Sequence, residues 1–240
     1  MIHNYLKNGV KFDDYHSIDD WGLITTNIEI GEPEPKTNYV DIPGMNGSLD
    51  LTETMGEITY NNRLITINFT KEETDPLEHA NGYLFEQKIR HAIHGRKMDI
   101  AFDSDKTFYW RGRVRVTEYD MASKGQINIT VEVNAEPYKY DVAFDGDRWL
   151  WSPFDFSSGI INVSHYVVNG SLTITLINRD MLVSPTITSS SRMTVTFNSK
   201  TVPVNTGTWK MYDIRLQPGE NVLTFKGSGT IEICYKAGVL

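Results

Sequence analysis

Ile127-Asn128-Ile129-Thr130-Val131-Glu132-Val133-Asn134 alternates apolar and polar side chains without a break. A strand turns successive side chains to opposite faces. This stretch therefore sends Ile127, Ile129, Val131 and Val133 into a core and its polar members into water. Upstream, Ile65, Ile67 and Phe69 alternate in the same way with Thr66, Asn68 and Thr70. Downstream, the period of two returns in Leu172, Ile174 and Leu176, in Met193, Val195 and Phe197, and in Ile231, Ile233 and Tyr235. Clusters of Gly, Asn and Asp separate these runs, as turns require. The fold class is mainly β.

One segment breaks the period. Asp75-Pro76-Leu77-Glu78 reads as a helix start: Asp75 caps the free amides, Pro76 suits the first helical position, and Glu78 completes a capping box. Phe85, Ile89, Ala92 and Ile93 then make an apolar stripe at helical spacing, and Gly95 supplies the stop. Gly82 within this helix marks a close contact or a later start. Glu136-Pro137-Tyr138 ends the long alternating strand, because proline cannot continue an interior strand. The expected domains are 1–140, a β-sandwich carrying the helix, and 141–240, a β-sandwich of jelly-roll or galectin-like kind. Pro218-Gly219-Glu220-Asn221 reads as a tight turn within the second.

With 40% hydrophobic and 22% charged residues, the 240-residue chain can build packed cores. Its formal charge of −8 speaks against a general nucleic-acid binder and against docking on an anionic membrane. The single cysteine, Cys234, excludes an internal disulfide. No stretch approaches the roughly 20 apolar residues of a membrane-spanning helix. The N-terminus lacks an apolar run of signal-peptide length, so the expectation is synthesis in the cytoplasm without secretory export. On that expectation, the Asn-X-Ser/Thr triplets at Asn46, Asn68, Asn128, Asn162 and Asn169 are chance matches.

Catalytic signatures are missing: no phosphate-binding glycine loop, no Gly-X-Ser-X-Gly elbow, no His-Glu-X-X-His. No cofactor is expected. Cys234 reads as an inert strand thiol beside Glu232 and Lys236. His91 and His94 could share a metal, but further ligands at suitable spacing are lacking, and a helix C-terminus accepts imidazoles readily. Arg111, Arg113 and Arg115 lie on one face of a strand, where they either contact phosphate or pair across strands with acids such as Glu118 or Glu132. Trp149, Trp151, Phe154 and Phe156 open the second domain, as core or interdomain packing or as rings that stack on sugars. Asp13-Asp14 and Asp19-Asp20 read as solvated turns rather than as a glycosidase pair.

A longer pattern lies between Trp21 and Arg63. Trp21-Gly22-Leu23 is followed by Pro33-Glu34-Pro35-Lys36. Then comes Tyr39-Val40-Asp41-Ile42-Pro43-Gly44-Met45-Asn46-Gly47-Ser48-Leu49-Asp50-Leu51-Thr52-Glu53, and Tyr60-Asn61-Asn62-Arg63 closes the stretch. This succession of a Gly-Leu strand, a proline-rich stretch, a Val-Asp-Ile-Pro-Gly loop and a Tyr-X-X-Arg close resembles the N-terminal domain of siphovirus distal tail (Dit-like) proteins. Glu136-Pro137-Tyr138-Lys139-Tyr140 is similar to that family's exit from its first domain.

The resemblance implies a first domain with one helix and an extended belt hairpin, and a galectin-like second domain. It implies a structural, non-enzymatic role in the virion, at the distal end of the tail. Copies form a hexameric ring, alone or in stacked pairs, that joins the tail tube to the tip and lets DNA pass. The implied partners are the major tail tube protein, the tail-associated hub or lysin protein, the tape measure protein, and receptor-binding or baseplate proteins. Tyr39, Val40, Asp41, Ile42, Pro43, Gly44, Asn46, Gly47, Leu49 and Leu51 are the candidate subunit contacts, since a short exposed tip can add to a neighbour's open sheet edge. The alternative is a carbohydrate-binding, host-recognition module of a tail tip, acting through Trp149, Trp151 or Tyr166. A wall hydrolase finds no supporting constellation in the residues.

Overall fold

A computed structural model describes residues 8–54, 56–72, 82–122, 126–141 and 166–240. The chain forms two compact units, Met1–Pro137 and Tyr138–Leu240. The expected helix start at Asp75 to Glu78 and the aromatic residues Trp149, Trp151, Phe154 and Phe156 lie outside the described residues.

The first unit contains β1 (Val10–Phe12), β2 (Tyr15–His16), α1 (Ser17–Trp21), β3 (Ile24–Ile30), β4 (Tyr39–Asp41), β5 (Ser48–Asp50) and β6 (Arg63–Glu72). After these come α2 (Gly82–Ile93), β7 (Lys97–Phe102), β8 (Asp105–Ala122) and β9 (Gln126–Ala135). Its main sheet is antiparallel, in the order β2-β1-β7-β8-β9-β6-β3. The alternating residues fall as the period requires. Ile65, Ile67 and Phe69 of β6, Val114 and Val116 of β8, and Ile127, Ile129, Val131 and Val133 of β9 are buried in one cluster. Ile89, Ala92 and Ile93 of α2 and Trp21 of α1 join that cluster. Each aliphatic side chain so buried contributes about 1.5–3 kcal/mol.

Both ends of α2 are stitched to β8. Gly95 N–H donates to Val114 O at 2.8 Å, Val116 N–H donates to His94 Nδ1 at 3.1 Å, and Tyr119 Oη donates to Gly82 O at 2.8 Å. His94 thus uses its unprotonated nitrogen to hold the helix against the sheet. Gly82 is buried and is the first described residue of the helix.

Two expectations need correction. Asp19 and Asp20 are not in a turn but in the first turn of α1. His16 caps that helix: its Nδ1 accepts from Asp19 N–H at 3.3 Å, and Asp20 Oδ2 accepts from His16 N–H at 2.6 Å. A five-residue helix is too short to show a period, and histidine is not a usual cap. Gly22, read as the opening of a strand, is instead the C-cap of α1 and donates its N–H to Ile18 O.

The second unit contains β10 (Lys139–Asp141), β11 (Tyr166–Asn178), β12 (Thr186–Ser189), β13 (Met193–Phe197), β14 (Lys200–Val204), β15 (Gly207–Lys210), β16 (Gly219–Cys234) and β17 (Gly238–Val239). β10 pairs with β17, and the other described strands share an antiparallel sheet centred on β16. β16 pairs with β11 along one side and with β13 and then β12 along the other. Ile174, Leu176, Ile187, Val195, Leu223, Phe225, Ile231 and Ile233 fill its core. The turn before β16 is closed by the side chain of Asn221, which accepts from Gln217 N–H and donates to Gln217 O and Gly219 O.

Candidate interface arm

β3 and β6 are neighbours in the sheet, yet more than thirty residues of chain lie between them. Those residues form a ribbon built from local pairings. Gly31 N–H donates to Leu64 O at 2.9 Å, where a side chain at position 31 would meet the Leu64 carbonyl at 3.0 Å. Beyond it, Asn61 N–H donates to Glu34 O, Pro35 bridges Tyr60, and Lys36 N–H donates to Thr59 O. Pro33 and Pro35 cannot donate to a ladder, which keeps this stretch open and only partly paired.

The outer part is the β4–β5 hairpin, with Tyr39 opposite Asp50, Val40 opposite Leu49 and Asp41 opposite Ser48. Leu51 N–H donates to Asn38 O at 2.8 Å and Asn38 N–H to Thr52 Oγ1 at 3.0 Å. Ser48 Oγ donates to Asp41 Oδ1, and Asp50 Oδ1 accepts from Thr52 N–H at 2.9 Å. The Thr52 bonds hold the Asp50 carboxyl below its ordinary range. Gly44 (φ 86°) and Gly47 (φ 77°) take the left-handed conformations of the tip, next to Pro43 and Asn46.

Tyr39, Val40, Asp41, Ile42, Pro43, Gly44, Asn46, Gly47 and Leu49 are all exposed, and Leu51 is half-buried. Tyr39 is 59% exposed, Val40 41%, Ile42 42%, Met45 45% and Leu49 39%. From residue 31 to the tip the ribbon has a contour length of roughly 40 Å at strand rise. A two-stranded ribbon with no sheet or helix behind it is marginal in water. Clustered exposed apolar side chains on such a ribbon are the mark of an interaction surface.

Arg63 stands at the base of the arm, 5% exposed, with its guanidinium 4.7 Å from the centre of the Trp110 ring. Burial pushes its pKa down and the field of Glu32 opposes that shift. The sequence pattern drew attention to Arg63 as a motif residue but carried no signal that it would be buried.

Two members of the arginine row pair with acids and the third with a backbone carbonyl. Arg111 forms a two-bond ion pair with Asp99 at 2.6 and 2.7 Å, and Arg115 meets Glu132 across the β8–β9 ladder at 2.6 Å. Arg113 donates to Gly95 O at 2.6 Å. Tyr166 is half-buried against the core of the second unit. Two exposed aromatic residues in that unit, Trp209 and Tyr212, went unnoticed in the sequence because neither sits in an alternating run. Among the described residues no three His, Cys, Asp or Glu side chains are grouped to hold a metal ion.

An antiparallel sheet with a projecting ribbon, followed by a second β unit, is a fold that the chain shares with a solved phage protein. One solved structure with this likeness is the Dit protein of phage SPP1, described as a paradigm of the hub adsorption apparatus in phages infecting Gram-positive bacteria. The match covers 97% of this chain and 99% of that one, with a TM-score of 0.61 and 13% identity. At that identity the likeness establishes the fold. A chain of the phage P2 baseplate in its activated conformation with calcium matches over 95% of this chain and 98% of its own, at 8% identity and a TM-score of 0.40, too low to carry an argument. No protein-family model and no curated protein matches the sequence.

Proposed function

We propose that this protein is a structural component of a phage tail tip, a distal tail protein that assembles into a hexameric ring. In this reading the ring, single or stacked as a pair, joins the tail tube to the hub and leaves an axial passage for DNA. The first unit builds the ring, and the galectin-like second unit lies outside it and receives baseplate or receptor-binding proteins. The tail tube, tape measure and hub proteins are its axial partners, and its place is the distal end of the virion tail. No chemistry is required of it.

The observation that carries this reading is the arm: a ribbon whose tip exposes Tyr39, Val40, Ile42, Met45 and Leu49 to solvent in the isolated chain. Area sets a further condition. One face of a ribbon two strands wide presents roughly 400 Å², about half of what each partner contributes to a stable interface. The body of the neighbouring copy must supply contacts of its own. Light scattering coupled to size-exclusion chromatography, with negative-stain imaging of the main peak, tests the proposal. Open rings of six or twelve copies support it, and a population of monomers at all concentrations removes it.

A further inference from the structure

The arm is as distinctive in charge as in shape. Between Glu32 and Asn62 it carries the acids Glu32, Glu34, Asp41, Asp50, Glu53 and Glu57 against the single base Lys36, a net charge of −5. All of these residues are exposed. Its natural seat on a second copy therefore combines apolar and basic groups.

Among the described residues of the first unit outside the arm, Leu64 of β6 is exposed singly, and two further surfaces each carry a pair of exposed apolar side chains. One is the open edge strand β3, with Ile24 40% and Ile30 43% exposed. It carries Glu29 and leads into Glu32 and Glu34, so an acidic ribbon laid beside it meets like charge. The other is the outer face of α2. Tyr83 and Leu84 are 73% and 63% exposed in its first turn, and Lys88 and His91 continue the same face at helical spacing. From Lys88 to Lys97 the chain holds Lys88, Arg90, Arg96 and Lys97 and no acid. Arg90 is committed to Glu86 and Lys97 to Glu136. Among the described residues Lys88 and Arg96 form no ion pair, and both are exposed.

We infer that the outer face of α2, from Tyr83 and Leu84 through Lys88 to Arg96, is the seat for the acidic arm of a second copy. Tyr83 and Leu84 meet the apolar hairpin, and Lys88 and Arg96 meet the carboxylates of Glu53 and Glu57 on the returning limb, both exposed. The inference rests on the ring reading and gives it an acceptor surface and a salt dependence. Exposed charge pairs steer association and are screened beyond roughly 10 Å at 0.1 M salt.

A charge swap tests the pairing. Lys88→Glu with Arg96→Glu in one chain, and Glu53→Lys with Glu57→Lys in another, remove no side-chain hydrogen bond seen among the described residues. Each is expected to weaken self-association by about tenfold or more at low salt. All four changes in one chain, or the two variants mixed in equal amounts, restore it to within about threefold of the wild type. Sedimentation velocity across a salt series reads the assembly, and far-UV circular dichroism checks the fold of each variant. Lys88→Gln with Arg96→Gln provides a milder pair should the reversals disturb folding. Wild-type rings that ignore salt, or a four-fold variant as weak as its parents, overturn the pairing and leave the ring reading standing. A wild type monomeric in every salt overturns the ring reading and the pairing with it.

Discussion

Asn221 is 3% exposed, yet it sits in the turn that leads into the central strand of the second unit. Its amide accepts from Gln217 N–H at 2.8 Å and donates to Gln217 O at 2.7 Å and Gly219 O at 3.0 Å. Asn221→Ala strands those backbone groups, and leaving a buried polar group unmatched costs about 1–3 kcal/mol. Urea unfolding of the purified variant should show a loss in that range, and an unchanged midpoint would mean that water replaces the side chain. Tyr235 gives a pH prediction of definite sign. Burial pushes its phenol from 10.0 up to about 12. The unfolded chain gives up that proton first, so the stability this group confers is complete below about 10 and is lost as the pH climbs towards about 12. Tyr235→Phe should flatten that alkaline decline in urea titrations, and a decline of the same slope in the variant would place its origin elsewhere. The turn at Pro218 to Asn221 was legible in composition, whereas the burial of Asn221 was not. Turn propensity is a local property, and burial depends on strands that arrive from far along the chain.

The alternating runs announced five strands, because one face of each is buried and the period of two is then enforced. β6, β9, β11, β13 and β16 all carry their apolar residues on the expected face. The helix α2 was equally plain from Ile89, Ala92 and Ile93. α1 was missed, because its five residues span barely more than one turn and its cap is a histidine. In the arm, Pro43-Gly44 and Asn46-Gly47 identified turns, but nothing in the alternation showed that the hairpin would stand away from the sheet. It has no buried face to impose a pattern. In the proposed ring, its apolar residues serve a surface that a second copy supplies. Val40→Lys, Ile42→Lys and Leu49→Lys together should therefore leave the monomer folded and abolish assembly. Circular dichroism and light scattering check the two halves of that statement, and intact rings from the triple variant would show that the hairpin tip is not the contact.

At the scale of the molecule, charge is unevenly divided. The arm's −5 is the larger part of the chain's −8, while the cations gather along α2, β7 and β8. Six copies would carry a formal −48. If the passage through the proposed ring shares that sign, it repels DNA and keeps it from sticking. The fold alone, shared with a phage hub protein at 13% identity, does not fix what the molecule does. What links fold to role is assembly, and the mass of the purified protein in solution tests that link most directly. The account predicts a particle of six or twelve times the 27.4 kDa chain, seen as an open ring in negative stain. A mass that stays at 27.4 kDa at every concentration would contradict it.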